Sequence, residues 1–186
     1  MTRFEPHLEK SQRDRAQPPL TCRFRTAVAA DADALGAIEA HREGGKPAVH
    51  AEKMRRSIAE PGLLLVAEHD GRVVGFGKAR HFEPAPDAPA NVAPRGWYLA
   101  GVIVAPEFRQ RGVGRQLTEA RLAWIAERAD QAFYFANARN RVTIELHEPF
   151  GFVEVTRDFT FPGASFEGGE GILFRARLDP DGALPR

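Results

Sequence analysis

The stretch Val102-Ile-Val-Ala-Pro-Glu-Phe-Arg-Gln-Arg-Gly-Val-Gly-Arg115 constrains the fold of this chain more than any other. An apolar strand runs into a proline and then a basic turn with glycines at 112 and 114. A helix follows, with Val113, Leu117, Ala120 and Trp124 at helical spacing. The turn reads as an anion cradle. Its glycines allow a tight bend and close approach of the backbone to a ligand. The first amides of the following helix have no intrahelical acceptor and favour bound negative charge. Arg109, Arg111 and Arg115 crowd the same helix start, where a cation is disfavoured by roughly 0.3–1 kcal/mol. A bound phosphate reverses that penalty, so a ligand explains the sequence better than stability does.

Around this unit the chain reads as one domain. Residues 1–20 carry charge, Gln and Pro with few apolar groups and are expected to form a tail or arm, and residues 179–186 a frayed end. Between them, over 21–178, the patterning predicts strands at 23–28, 63–68, 73–81, 97–105, 132–136, 152–161 and 171–178. Helices are expected at about 31–43, with Asp31 or Asp33 as cap, and at 48–59, 112–129 and 140–148. His69-Asp-Gly-Arg72 is a hairpin turn, and Pro84, Pro86, Pro89 and Pro94 mark a long loop. The strand–helix–strand run over 97–136 implies a parallel pairing inside an otherwise antiparallel sheet. The fold class is therefore mixed α/β, with helices packed on the sheet.

Composition narrows the partners. With 26 basic and 25 acidic side chains, the net charge is +1, and no global nucleic-acid or membrane footprint exists. The apolar runs are too short to span a bilayer and residues 1–20 lack a signal-peptide stretch, so a cytoplasmic protein is expected. The single Cys22 excludes an intramolecular disulfide, and the six histidines lack metal-ligand spacing. No nucleophile setting surrounds Ser11, Ser57 or Ser165.

Two motifs and the element order resemble the GNAT superfamily of N-acetyltransferases. Arg109-Gln-Arg-Gly-Val-Gly114 matches that family's Q/R-x-x-G-x-G/A turn, and Val104-Ala-Pro-Glu107 stands before it where the family carries its V-x-x-P start. Asn140-x-x-Thr143-x-x-Leu146-His147-x-x-x-Gly151-Phe152 resembles its N-x-x-S/A-x-x-L-Y-x-x-x-G-F segment. The resemblance implies a GNAT-like mixed sheet of about seven strands flanked by about four helices. It also implies acetyl-CoA as acyl donor. Its pyrophosphate would lie on Arg109, Gln110, Arg111, Gly112, Val113, Gly114 and Arg115, and its pantetheine arm along Val102, Ile103 and Val104. A plain helix entry, with Arg115 pairing Glu119, is the structural alternative for the turn.

By the same resemblance, His147 occupies the position where many relatives carry a Tyr that meets the leaving thiolate, and a His in place of that Tyr resembles the branch of phosphinothricin-type acetyltransferases. Near its usual pKa it would supply a proton; as a helix-end residue it would serve structure alone. Asn140 is expected to touch the cofactor, to cap its helix, or both. The central strand carries no carboxylate, which leaves Tyr98, Glu39, His41, Glu167 and Glu170 as groups that would handle the amine proton, or solvent alone. The expected reaction is direct attack of a primary amine, of a small molecule rather than a protein, on acetyl-CoA. A non-catalytic acyl-CoA-binding sensor is the alternative. Loops at 41–50, 83–96 and 162–170, with Glu43, Asp87, Glu170, Phe82, Trp97 and Phe166, would line the acceptor pocket and suit a small cationic amine such as an amino sugar. A homodimer is possible in such an architecture.

Overall fold

The computed structural model describes residues 18–166 and 168–179. The tail expected over 1–20 lies outside the described residues as far as 17, as do Glu167 and residues 180–186. The elements are β1 (Arg23–Thr26), α1 (Ala32–Glu43), α2 (Pro47–Ala59), β2 (Leu63–His69), β3 (Arg72–Phe82), β4 (Gly96–Val104), α3 (Val113–Ala126), β5 (Gln131–Asn137), α4 (Arg141–His147), β6 (Val153–Thr156) and β7 (Gly171–Arg177). They build one seven-stranded sheet in the order β1-β2-β3-β4-β5-β7-β6. Only the β4–β5 pairing is parallel, as the strand–helix–strand run requires.

Two apolar layers hold the helices to the sheet. On one face, Leu35, Ile38 and Met54 of α1 and α2 pack on Leu64, Val66, Phe76 and Ile103. On the other, Val113, Leu117, Leu122 and Ile125 of α3 meet Val74, Leu99, Ala132 and Tyr134. Each such Leu or Ile contributes about 1.5–3 kcal/mol on full burial.

Two local expectations change. The Asp31 carboxylate does not cap α1. It accepts from the Val28 amide at 2.8 Å and takes a bidentate pair from Arg25, so it fixes the short turn before the helix instead. The sixth strand stops at Thr156 rather than running to 161. There the Thr156 hydroxyl accepts the Asp158 amide at 3.1 Å, a local bond that replaces the ladder.

One feature of the sheet positions everything that follows. β4 and β5 pair only at Trp97↔Ala132 and Tyr98↔Phe133, after which β4 continues to Val104 without a partner on that side. The parting begins beside a bulge. Gly77 pairs Val102 and Lys78 pairs Ala100, which leaves Gly101 unmatched with φ 71°. A bulged strand bends away from its neighbour, and here that opens a cleft between β4 and β5.

Candidate active site

The cleft ends at the basic turn. After Val104 the chain makes a short 3-10 turn at Pro106–Phe108 and passes through Gln110 (φ 59°) and Gly112 (φ 78°), both left-handed. Gln110 is held in a region that a non-glycine residue seldom adopts, so the loop carries local strain. Gly112 is the N-cap of α3 and has no side chain with which to cap it. Gly114 sits in the first helical turn, where an added Cβ would make only an ordinary contact, 3.7 Å from Leu146 of α4. Internal packing therefore does not demand glycine there. A ligand approaching the backbone does.

Around this loop, Arg109, Arg111 and Arg115 have no carboxylate partner among the described residues, so the expected alternative pairing of Arg115 with Glu119 is not formed. Arg109 donates to the Val104 carbonyl at 3.0 Å and Arg111 to that of Pro18 at 3.4 Å. The loop is braced from the N-terminal side. The Leu20 amide donates to the Arg111 carbonyl at 2.9 Å, Gln116 donates to the Leu20 carbonyl at 2.8 Å, and the Leu20 side chain is buried in the main core.

Along β4, the side chains of Val102 and Val104 pack on the α3 layer, and that of Ile103 is buried against α1 and α2. Gly101 is exposed, and its missing Cβ would point into open space. Beneath the bulge lies a residue that the sequence reading passed over. Arg121 of α3 is 1% exposed and spans the strand pair. It donates to Leu117 O (3.0 Å), Lys78 O (3.1 Å), Gly101 O (3.1 Å) and Thr118 Oγ1 (3.0 Å). Burial lowers its pKa to about 9, so it remains a cation at neutral pH. Only glycine at 77 leaves it room, since a Cβ there would sit 2.7 Å from Nε. The signal was present: an arginine four residues after Leu117 on an apolar helical stripe, facing a strand with Gly75 and Gly77.

Both residues expected to handle protons are committed elsewhere. His147 is 3% exposed, stacked on Tyr134 at 4.2 Å and edge-on to Phe152. Its Nδ1 donates to the Thr143 carbonyl at 2.7 Å, which leaves Nε2 as an acceptor that no described group meets. Burial lowers its pKa to about 4. The expectation of a proton donor near its usual pKa is corrected: at neutral pH this imidazole carries no proton to give at Nε2. Tyr98 is buried among Phe82, Phe133, Phe135 and Phe161, and donates to the Pro94 carbonyl at 2.6 Å. Burial raises its pKa, so it acts as a packed strand residue rather than an acid or base. Asn140 caps α4, accepting the Thr143 amide at 3.2 Å.

The remaining candidates are also engaged or peripheral. Glu39 is buried and holds Lys53 at 3.0 Å and His50 Nδ1 at 3.1 Å. Glu170 pairs with Arg157 at 2.7 Å and Glu43 with Arg42 at 3.3 Å. His41 is exposed, and Glu167 lies outside the described residues.

Known proteins resolve the class. The model of the acetyltransferase (GNAT) family matches residues 20–152, which include the open strand, the basic turn and α4. The chain belongs to the GNAT family. Mycothiol acetyltransferase of Acidothermus cellulolyticus is 30% identical over 125 residues, 64% of this chain but 38% of the relative. The chain thus spans well under half of that protein. Aminoglycoside N(6')-acetyltransferase type 1 of Salmonella typhimurium is 28% identical over 123 residues, 64% of this chain and 76% of the relative. In three dimensions the fold is similar to a GNAT acetyltransferase of Bacillus cereus, with TM-score 0.64 at 19% identity, over 84% of this chain and 97% of that one. It is also similar to a phosphinothricin acetyltransferase of Sinorhizobium meliloti solved in complex with AcCoA. There the TM-score is 0.62 at 18% identity, over 86% of this chain and 89% of that one. Among the described residues of this GNAT chain, no helix is long and apolar enough to cross a membrane.

Proposed function

We propose that this GNAT chain is an acetyl-CoA-dependent N-acetyltransferase that acetylates a primary amine of a small molecule by direct attack. The observation that carries the reading is the cluster of Arg109, Arg111 and Arg115, without carboxylate partners among the described residues, at the uncapped start of α3 and at the mouth of the β4–β5 cleft. An anionic pyrophosphate supplies the missing counter-charge, and the free edge of β4 gives an extended amide-bearing arm a strand to pair with. Acetyl-CoA supplies the activated thioester, and a neutral amine displaces the thiol.

The chain's own residues do the positioning. The loop amides and arginines hold the phosphates, Leu20 and Gln116 brace the loop, and Arg121 fixes the bulge at Gly101. Backbone amides of the open strand are the donors available to a developing oxyanion. With Tyr98 and His147 committed, the amine proton leaves through solvent or to the departing sulfur.

That same commitment of Tyr98 and His147 favours a second reading, a non-catalytic acyl-CoA-binding module. Release of free thiol from acetyl-CoA across a panel of primary amines decides between them. The transferase reading expects amine-dependent release with a matching acetylated product. Acetyl-CoA binding with no transfer to any amine would sink it in favour of the module.

A further inference from the structure

Resting on the transferase reading, we propose that the acceptor is an amine that also carries a carboxylate, recognised by Lys78 in a groove beside α2. The groove, about 700 Å³, is lined by Ala48, Val49, Lys53, Arg56, Ser57 and Lys78, with Glu52 and Glu60. It lies on the α1–α2 face of the sheet, opposite the layer that carries α3 and α4. Its link to the open strand is Lys78, whose β4 partner Ala100 directly precedes the Gly101 bulge.

The charges in this groove are not equivalent. Glu52 is shared between Arg55 and Arg56, each at 3.4 Å, and Glu60 faces Arg80 at 3.5 Å. Lys53 is tied to the buried Glu39 at 3.0 Å. Arg80 is spent on the Ser57 carbonyl and hydroxyl at 2.7 and 2.9 Å and on the Leu63 carbonyl at 2.9 Å. Of these charged side chains, only the Lys78 ammonium has no hydrogen bond or ion pair to a described residue. Its ammonium is half-buried, with the Phe76 ring 5.9 Å away as its aromatic neighbour. The carboxylates of Glu39 and Glu60 attract it from a distance, but its three N–H donors meet no acceptor among the described residues, which is costly for a partly desolvated ammonium.

A carboxylate on the amine substrate supplies that acceptor, whereas Lys53 and Arg56 on the same wall are already paired with Glu39 and Glu52. A polycationic amine meets the opposite field. Of the acidic loop residues, Glu43 and Glu170 are already paired with arginines, whereas the exposed Asp87 has no ion pair among the described residues. The recognised chemistry is therefore amino-acid-like, free or at the end of a short peptide, rather than amino-sugar-like.

The test is thiol-release kinetics on the full chain with matched pairs: L-amino acids and dipeptides against their carboxamides, with rates expressed per neutral amine. Kanamycin serves as a polycationic control. The proposal expects kcat/KM about tenfold or more higher for acids than amides, the two arms separating a free amino acid from a peptide terminus. Lys78→Gln is expected to raise KM for the acid and collapse the acid-over-amide ratio toward one, whereas Lys78→Arg keeps the ratio. Loss of kcat in Lys78→Arg at unchanged KM would assign Lys78 to proton transfer and overturn recognition. Equal turnover of acids and amides by the wild-type chain overturns it too, as does preference for kanamycin. So does failure to acetylate any carboxylated acceptor while acetyl-CoA still binds. Absence of acetyl-CoA binding instead removes the underlying transferase reading.

Discussion

His147 couples the stability of this fold to pH. Its folded pKa, about 4, lies below the ordinary histidine value, so the unfolded chain binds the extra proton first. Its contribution is fully present above about pH 6.5 and is lost as pH falls towards 4, on the order of 3 kcal/mol in all. Chemical denaturation across that window is expected to show the loss, and His147→Leu to flatten it. A wild-type profile already flat there would mean that the imidazole is solvated. Gly114 makes the complementary case. Because a Cβ there meets only Leu146 at 3.7 Å, Gly114→Ala is expected to fold with an unchanged or slightly raised Tm. Acetyl-CoA affinity should nonetheless fall by about tenfold, measured by titration calorimetry. Undiminished affinity would place the ligand elsewhere.

At the scale of elements, the bulged centre of β4 depends on one side chain from α3. Arg121→Met leaves the carbonyls of Lys78 and Gly101 without their donor, and the expected loss is about 3 kcal/mol or more by urea unfolding. Gly77→Ala should cost a similar share of stability from the opposite side, since its Cβ would collide with the guanidinium. If both variants unfold at the wild-type midpoint, the bulge does not rest on Arg121. The order of elements was legible from periodicity, turn residues and two motifs, because each reports local backbone preference. Their partners across space were not. Nothing within β4 announces that Gly101 is bulged, or that it parts from β5 after Tyr98. The surroundings of His147 and Tyr98 were illegible for the same reason. Residue type and spacing named chemically able groups, but Tyr134, Phe152 and the Pro94 carbonyl, which engage them, come from other parts of the chain.

Across the whole molecule, the sheet divides the labour. The face with α3 and α4 carries the basic loop, the face with α1 and α2 carries the groove beside Lys78, and the parted strands β4 and β5 lie in the sheet between them. On the proposed function, this arrangement would place a donor and an acceptor on opposite sides of one strand, as a direct transfer requires. The arginine cluster is the part on which all else depends, and calorimetric titration of acetyl-CoA tests it most directly. The full chain should be compared with an Arg109→Gln, Arg111→Gln, Arg115→Gln variant at low and high salt. Saturable binding is expected, weakened about tenfold or more in the variant and reduced by salt. No heat of binding at millimolar acetyl-CoA, or the same isotherm from both proteins, would contradict the assignment of the loop.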